Sequence, residues 1–279
     1  MDLSYGEAYE AFRQQVRRFL EEHRHEAPPA GLGLGELRDP RLRRWQQLLV
    51  EHGYVGRTIP REYGGYGARP DPLETIIIEE EFERAGVSRG LAASQGISML
   101  VPTLLEHGSE EQKRTWIPPT LRGEVIWCQG YSEPGAGSDL ASVQTTAVDD
   151  GDDFVINGQK IWTSTAQYAD MMFALVRTEP QAPKHAGLSY LLIPMRTPGI
   201  EVRPLRTMTG LAEFNEVFFT NVRVPKRNVV GRRGEGWKVG NTTLRHERNL
   251  LGSASYSERL WRHLLALMQQ ETVDGRRGP

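Results

Sequence analysis

The sequence is poor in several features that would assign a function class at once. It has 1 cysteine, Cys128, which excludes an internal disulfide and a cysteine-based metal cluster and which we expect to be a small core residue. It has no run of about eighteen apolar residues, so we expect no transmembrane helix. The N-terminus lacks the basic and apolar regions of a secretory signal. The formal net charge of −2 argues against a general nucleic-acid binder.

Histidine also gives no sign of a metal site, because the 7 histidines are scattered without the spacing of metal ligands. We therefore expect no metal. A cytoplasmic protein without membrane insertion is the default interpretation. The composition is that of an ordinary globular protein, with 38% hydrophobic and 25% charged residues. The length of 279 residues allows one large domain or two to three smaller ones.

Apolar periodicity predicts an N-terminal helical domain over residues 1–122. Between residues 9 and 20, apolar side chains recur every three or four positions, which is typical of a helix with one buried face. The same region carries residues that start and end helices. These are Gly53 after a helix from Pro40 to His52, Asp71 and Pro72 at the start of the next helix, and Ser109 with Gln112 as a capping box.

The pattern changes near Gly123 to short segments rich in β-branched and aromatic residues. We predict a middle antiparallel β-barrel domain over residues 123–229. Asn157 and Gly158 separate two predicted strands, and this pair favours a type I′ hairpin turn. The predicted strands span residues 125–131, 142–148, 153–157, 159–163, 170–177, 188–194, 200–203, 215–220 and 222–224.

Helical periodicity returns near Gly234 and continues to Gln270. One or two amphipathic helices have little apolar surface to bury against, so they make a poor domain by themselves. We therefore predict that residues 230–279 are the first, incomplete part of a C-terminal helical domain. Residues 274–279 are polar and rich in helix breakers, and we expect no element there. The predicted fold class is α+β, with a helical domain, a barrel and the start of a helical bundle.

Residues 129–140, QGYSEPGAGSDL, form the most informative segment. Gly135 and Gly137 leave the backbone bare, so N–H groups can approach an anionic ligand closely. Shortly afterwards, residues 158–164, GQKIWTS, bring an indole and two hydroxyls together. The first segment is suited to holding a phosphate and the second to lining a flat aromatic ring. The simpler interpretations are a plain turn for the first segment and a core residue for Trp162.

Four motifs in this order resemble the acyl-CoA dehydrogenase family, and the resemblance covers nearly the whole chain. The motifs lie at residues 131–140, 156–164, 214–225 and 234–238. The resemblance implies an FAD-dependent oxidoreductase of lipid metabolism that acts on the CH–CH group of an acyl-CoA and forms the trans-2-enoyl-CoA. In that family a carboxylate removes the α-proton and the β-hydrogen leaves as hydride to flavin N5. The protein stabilises charge on the thioester oxygen, orients the flavin and excludes water.

The resemblance also implies partners and site residues. An electron-transfer flavoprotein is the usual electron acceptor, and we expect a homo-oligomer or a heteromer with a related subunit. Ser138 and Arg248 match substrate-binding positions. Glu133 and Asp139 could be mistaken for a catalytic carboxylate pair, but in the family they shape the loop. The implied cofactor-binding residues are Gln129, Tyr131, Ser132, Gly137, Trp162, Thr163 and Ser164.

Glu247 is the candidate base. Most family members carry the catalytic glutamate beyond a position like Pro279. A minority, resembling the isovaleryl and long-chain enzymes, carry it on the first long C-terminal helix just before an arginine, as Glu247 precedes Arg248 here. A solvated glutamate paired with a nearby arginine is the plain alternative. Where the family usually has aspartate, three residues before Arg248, this chain has Arg245, which leaves the adenine or pantetheine contacts open.

Other interpretations remain open. Relatives continue for about a hundred residues after a position like Pro279, enough for the rest of a helical bundle, so relative to the family the chain is C-terminally truncated. The chain could be a non-catalytic partner subunit, or an acyl-CoA oxidase or flavin monooxygenase on the same fold. Gly96 and Ser98 leave room near the expected acyl pocket, which hints at a longer or branched acyl group.

Overall fold

A computed structural model describes residues 6–29, 37–91, 94–248, 254–270, 272–273 and 276–277, with backbone alone at 254–256, 259 and the two last segments. The first half of the chain is helical. Its helices are α1 (Glu7–His23), α2 (Pro40–Glu51), α3 (Pro72–Arg84), a π-helical turn (Gly96–Leu100), α4 (Val101–His107) and α5 (Glu110–Leu121).

The predicted helix ends are confirmed. The Asp71 carboxylate accepts hydrogen bonds from the first backbone N–H groups of α3, and Ser109 and Gln112 form a reciprocal capping box on α5. Gly53, just after α2, has a φ of +74°, which favours glycine. The helices bury one apolar face each around Trp45, which is fully buried and whose indole N–H donates to Ser88 O at 2.8 Å. None of the described helices is both long and apolar enough to cross a bilayer.

The middle of the chain forms one sheet of eight strands. The strands are β1 (Trp127–Gly130), β2 (Thr146–Asp150), β3 (Asp153–Lys160), β4 (Met171–Arg177), β5 (Leu188–Pro194), β6 (Ile200–Leu205), β7 (Phe214–Pro225) and β8 (Val229–Val230). They pair in the order β6-β7-β3-β2-β4-β5-β8, with β1 beside β4. Cys128 in β1 is fully buried, and burial raises the pKa of its thiol.

The sheet is open and mixed, so the predicted closed antiparallel barrel is wrong. β1 and β2 run parallel to β4, and β6 and β8 form the two ends of the pairing order. β8 has only two residues and therefore offers too few backbone groups to continue the sheet toward β6. Strand segments alone do not show whether the last strand meets the first.

The predicted hairpin turn at Asn157 and Gly158 is also wrong. β3 runs straight through both residues, and its register against β7 shifts between Ile156 and Gly158, which is a β-bulge. Gly158 has a φ of +150°, and a Cβ there would lie 2.7 Å from Thr145 Cα. The hairpin instead turns at Gly151 and the next residue, between β2 and β3, with glycine first as in a type II′ turn.

Two further helices follow the sheet, α6 (Gly236–Arg248) and α7 (Ala254–Gln270). α6 packs on β4, β5, α4 and the π-helical turn. Glycines one turn apart allow this close approach: a Cβ on Gly236 would lie 2.4 Å from Ser189 C, and a Cβ on Gly240 would lie 3.2 Å from Leu175 Cδ1. Two short strands, Thr272–Val273 and Arg276–Arg277, pair with each other, and the second lies where the sequence predicted no element.

Candidate active site

The two predicted signature segments form one unit around a buried lysine. Lys160, at the end of β3, is fully buried, and its Nζ donates to Tyr131 O at 3.0 Å, Glu133 Oε1 at 2.8 Å and Leu175 O at 2.8 Å. Ser132 O also accepts a hydrogen bond from Ile161 N at 2.9 Å. Burial lowers the pKa of Lys160 to about 8, against the opposing effect of the Glu133 carboxylate. The hydrogen bonds of the ammonium group therefore hold residues 131 and 133 of the loop against the end of β3.

Glu133 shapes the loop from its other side. Its carboxylate accepts backbone N–H groups from Gln144 at 2.6 Å and Thr145 at 2.9 Å. Burial opposes ionisation, but the Lys160 charge and these hydrogen bonds hold the pKa of Glu133 below its usual range. Asp139 bonds to Ser142 Oγ at 2.5 Å and to Lys184. Both carboxylates therefore connect the loop to residues that follow it in the chain.

The tip of the loop presents bare backbone. Glu133 and Ala136 exchange two backbone hydrogen bonds, of 2.9 and 3.0 Å, which close a tight turn. A Cβ on Gly135 or Gly137 would meet nothing within 4 Å. Among the described residues, no group accepts a hydrogen bond from the N–H of Gly135, Gly137 or the exposed Ser138. Free N–H groups grouped in this way suit an anion.

Trp162 is not a core residue, so the simpler interpretation of it is wrong. Its side chain is 60% exposed and touches Phe214 edge-on, with ring centroids 5.9 Å apart. Its φ of +58° is uncommon for a residue other than glycine and costs about 1–3 kcal/mol, so the surrounding contacts hold it there. The indole is thus presented at the surface beside the loop.

The residues after Trp162 combine burial with polarity. Thr163 is 1% exposed, its N–H donates to Asn215 O at 3.1 Å, and Asn215 Nδ2 donates back to Thr163 O at 2.9 Å. Thr163 Oγ1 has no partner among the described residues. A buried hydroxyl without a partner is costly, so this position is suited to a polar ligand atom or a water. Ser164 is half-buried beside it.

The structure brings Glu247 to the loop motif although 118 residues separate it from Gln129. Gln129 lies in β1, Glu247 lies near the end of α6, and the Gln129 Nε2 to Glu247 Oε2 distance is 3.5 Å. Both side chains are half-buried. Arg248 is exposed. Arg245 instead pairs with Glu106 at 2.5 Å, on the side of α6 that faces α4.

Sequence reasoning missed a second attachment of α6. Thr243 Oγ1 lies 2.8 Å from Thr103 Oγ1 and 3.2 Å from the Tyr190 hydroxyl, and all three side chains are fully buried. The buried Tyr131 side chain packs on Tyr190, and its hydroxyl lies 3.5 Å from Gly240 O. Its predicted place along a flavin stays a prediction. No local signal marks Tyr190 or Thr243, because their partners are distant in sequence.

The interpretation of Gly96 and Ser98 as spare room is wrong. A Cβ on Gly96 would lie 2.8 Å from Trp127 Cδ1 and from Thr120 Cγ2, so the glycine lets the π-helical turn pack closely on Trp127. The Ser98 hydroxyl donates to Ser94 O at 2.7 Å and is turned back onto its own helix. Neither residue therefore indicates the size of the acyl group.

Comparison with known proteins agrees with this arrangement. The family description "Acyl-CoA dehydrogenase, N-terminal domain" matches residues 6–124, and "Acyl-CoA dehydrogenase, middle domain" matches residues 128–222. Acyl-CoA dehydrogenase IpdE1 of Mycobacterium tuberculosis (strain ATCC 25618 / H37Rv) is 44% identical over 247 residues. That match covers 86% of this chain and 63% of the relative, so the chain spans less than two thirds of the relative's length.

Solved structures give the same result. The ChsE4-ChsE5 complex from Mycobacterium tuberculosis is 34% identical with a TM-score of 0.77, covering 99% of this chain and 69% of that chain. The Tcur3481-Tcur3483 steroid ACAD is 35% identical with a TM-score of 0.76, covering 97% of this chain and 69% of that chain. The chain therefore belongs to the acyl-CoA dehydrogenase family of FAD-dependent oxidoreductases.

Proposed function

We propose that this chain carries the catalytic side of an acyl-CoA dehydrogenase site, which converts an acyl-CoA thioester to the trans-2-enoyl-CoA. Glu247 acts as the base that removes the α-proton. The observation that carries this proposal is the 3.5 Å separation of Gln129 Nε2 and Glu247 Oε2, which joins the candidate base to the signature loop. A solvated glutamate paired only with a neighbouring arginine would not be expected at that position.

The residues present fit FAD. The free N–H groups of Gly135 and Gly137 suit a phosphate, and the exposed indole of Trp162 suits one face of a planar ring. The unpartnered Thr163 Oγ1 suits a polar ring edge. We propose that Gln129, Tyr131, Ser132 and Ser164 complete the cofactor-binding set. FAD, when bound, supplies the acceptor for the β-hydrogen and its electron pair.

Glu247 needs a free carboxylate oxygen to act as a base. The Gln129 amide contacts Oε2, and within the described part of the chain no group contacts Oε1, which is the oxygen that we propose accepts the proton. A half-buried position limits competing water around the carboxylate. Ser138 and Arg248 are proposed contacts for the CoA portion of the substrate, because Ser138 is exposed within the loop and Arg248 is exposed next to the base in sequence.

The relatives support a finer proposal for the substrate and partners. One solved relative is described as a steroid ACAD, and another is a complex of two named chains, ChsE4 and ChsE5. We infer a bulky acyl group, such as a steroid side chain, and assembly with itself or with a related subunit. We propose an electron-transfer flavoprotein as the partner that accepts the electrons.

Anaerobic reduction of the flavin tests the proposal. The complete FAD-loaded enzyme, with any partner subunit, is mixed with a steroid side-chain CoA thioester or a straight-chain acyl-CoA, and bleaching of the flavin absorbance is followed. Glu247→Gln should slow bleaching about a hundredfold or more with FAD still bound, because it removes the proton acceptor. Glu258→Gln, an exposed glutamate of α7, is the matched control and should bleach at the wild-type rate.

Each alternative has its own outcome. Bleaching of Glu247→Gln at the wild-type rate would show that a different residue is the base. Absence of bleaching with every acyl-CoA in the FAD-replete enzyme would favour a non-catalytic subunit. Rapid peroxide formation in air would favour an oxidase or a monooxygenase. Equal rates with the bulky and the straight-chain thioesters would contradict the substrate proposal alone.

A further inference from the structure

We propose that a buried chain of four hydroxyls sets the depth and rotation of α6 and so positions Glu247 toward Gln129. The hydroxyls belong to Thr103, Thr243, Tyr190 and Tyr131, and we call them the hydroxyl chain. This inference rests on the proposed function, because it assumes that Glu247 is the base. Thr103, Thr243 and Tyr190 are positioning residues that act through the helix that carries Glu247, whereas Tyr131 also belongs to the proposed cofactor-binding set.

Thr243 is the centre of the hydroxyl chain. Its Oγ1 lies 2.8 Å from Thr103 Oγ1 in α4, 3.2 Å from the Tyr190 hydroxyl in β5 and 3.4 Å from Val239 O in α6. Thr243 has one proton, which Tyr190 Oη and Val239 O share as acceptors, while its lone pairs are open to the Thr103 hydroxyl. A single atom therefore links three separate elements at a point from which solvent is excluded.

Tyr190 is held rigidly. Its ring stacks on Phe173 with centroids 6.0 Å apart and planes at 1°, and it meets the Tyr131 ring edge-on at 6.3 Å. The Tyr131 hydroxyl in turn lies 3.5 Å from Gly240 O. α6 is thus fastened to the sheet at Gly240 and at Thr243, about one helical turn apart. Two such attachments fix both how deep the helix lies and how it is rotated.

Helical geometry carries this constraint to the base. Residues four apart in an α-helix lie about 40° apart around the axis and about 6 Å along it. Glu247 is therefore on the same face as Thr243, one turn further on. Thr242 lies about 140° away from Glu247 on that projection. Thr242 also contacts α4, through His107 Nε2 at 2.9 Å, but it faces away from the base.

This pair of threonines gives a matched test. Thr243→Val keeps the side-chain shape but removes the hydroxyl that joins α6 to Thr103 and Tyr190, so we expect α6 to shift or rotate. In the complete FAD-loaded enzyme we expect the rate of anaerobic flavin reduction to fall at least tenfold, with less than a threefold change in KM and full FAD content. Thr242→Val should stay within twofold of wild type. Thr243→Ser, which restores the hydroxyl, should recover most of the rate.

Two further measurements separate positioning from general damage. Tyr190→Phe, which removes one hydroxyl and keeps the stacked ring, should reproduce the kcat loss. In a crystal structure of Thr243→Val, the Gln129 to Glu247 distance should exceed the present 3.5 Å. Equal effects of Thr242→Val and Thr243→Val, or an unchanged distance, would overturn the inference. A Glu247→Gln enzyme of normal rate would instead overturn the proposed function.

Discussion

At the scale of single residues, Lys160 is the side chain on which the loop depends most. It is fully buried, and its three hydrogen bonds hold Tyr131, Glu133 and Leu175 in one place. A buried ion pair is weak evidence for net stability, but removal of one partner leaves the other charge uncompensated. The main effect of removing Lys160 would therefore be to leave the Glu133 carboxylate buried without its cation.

Lys160→Met should destabilise the protein by about 3–5 kcal/mol, because the Glu133 carboxylate would stay buried without its cation. The free energy of unfolding in urea measures the effect. Lys184→Met removes the exposed pair with Asp139 and is the matched control, with an expected cost of about 0–1 kcal/mol. Similar losses for the two variants would show that burial does not govern this pair.

Some of these residues could be predicted and others could not. The bare glycines of the loop and the candidate base Glu247 follow from motifs, because a motif keeps chemistry-bearing residues at a fixed spacing. The roles of Lys160, Tyr190 and Thr243 depend on partners tens of residues away, and no local pattern encodes such contacts. The exposure of Trp162 depends on a φ of +58°, which composition does not reveal.

At the scale of elements, the predicted strand positions are close to those observed. The strand ends predicted at glycine and asparagine are wrong, because the strands continue through these residues. The segments predicted at 153–157 and 159–163 belong largely to a single strand, β3, and 215–220 and 222–224 fall within β7. Gly158 and Asn221 both have positive φ inside these strands. Positive φ marks a bulge as readily as a turn, and only pairing with the neighbouring strand separates the two.

The bulge gives a prediction for β3. Gly158→Ala should destabilise the protein by about 2 kcal/mol or more, because its φ of +150° and the 2.7 Å approach to Thr145 Cα both exclude a side chain. Gly135→Ala is the control, since a Cβ there meets nothing and the expected change is within about 0.5 kcal/mol. Midpoints of urea unfolding compare the two. A tolerated alanine at 158 would argue against a fixed bulge.

At the scale of the whole molecule, α7 leaves apolar surface uncovered. Leu260, Trp261, Leu264 and Leu267 are 47–57% exposed on this one helix. Large apolar patches on a folded chain mark interaction surfaces. The order of a helical region, a sheet and further helices could be predicted from periodicity. What packs against the exposed face of α7 could not, because no segment within the described residues covers that face.

This surface should drive association of the 279-residue chain. We expect concentration-dependent self-association at micromolar concentrations, measured by sedimentation equilibrium, because burial of the α7 side chains removes apolar area from water. The double variant Trp261→Glu and Leu264→Glu should shift the chain toward monomer. Met208→Glu, at an exposed loop residue, should leave the association unchanged. A monomeric wild-type chain would contradict the expectation.

The 118 residues between Gln129 and Glu247 also have a meaning for folding kinetics. Contacts between residues far apart in sequence form late, because the chain entropy lost on closing a long loop is offset only after the contact has formed. The turn within residues 133–136 closes locally, whereas Glu247 arrives only when α6 docks. We therefore expect the turn of the proposed ligand-holding loop to form before the proposed base joins it, so that binding competence precedes reactivity along the folding path.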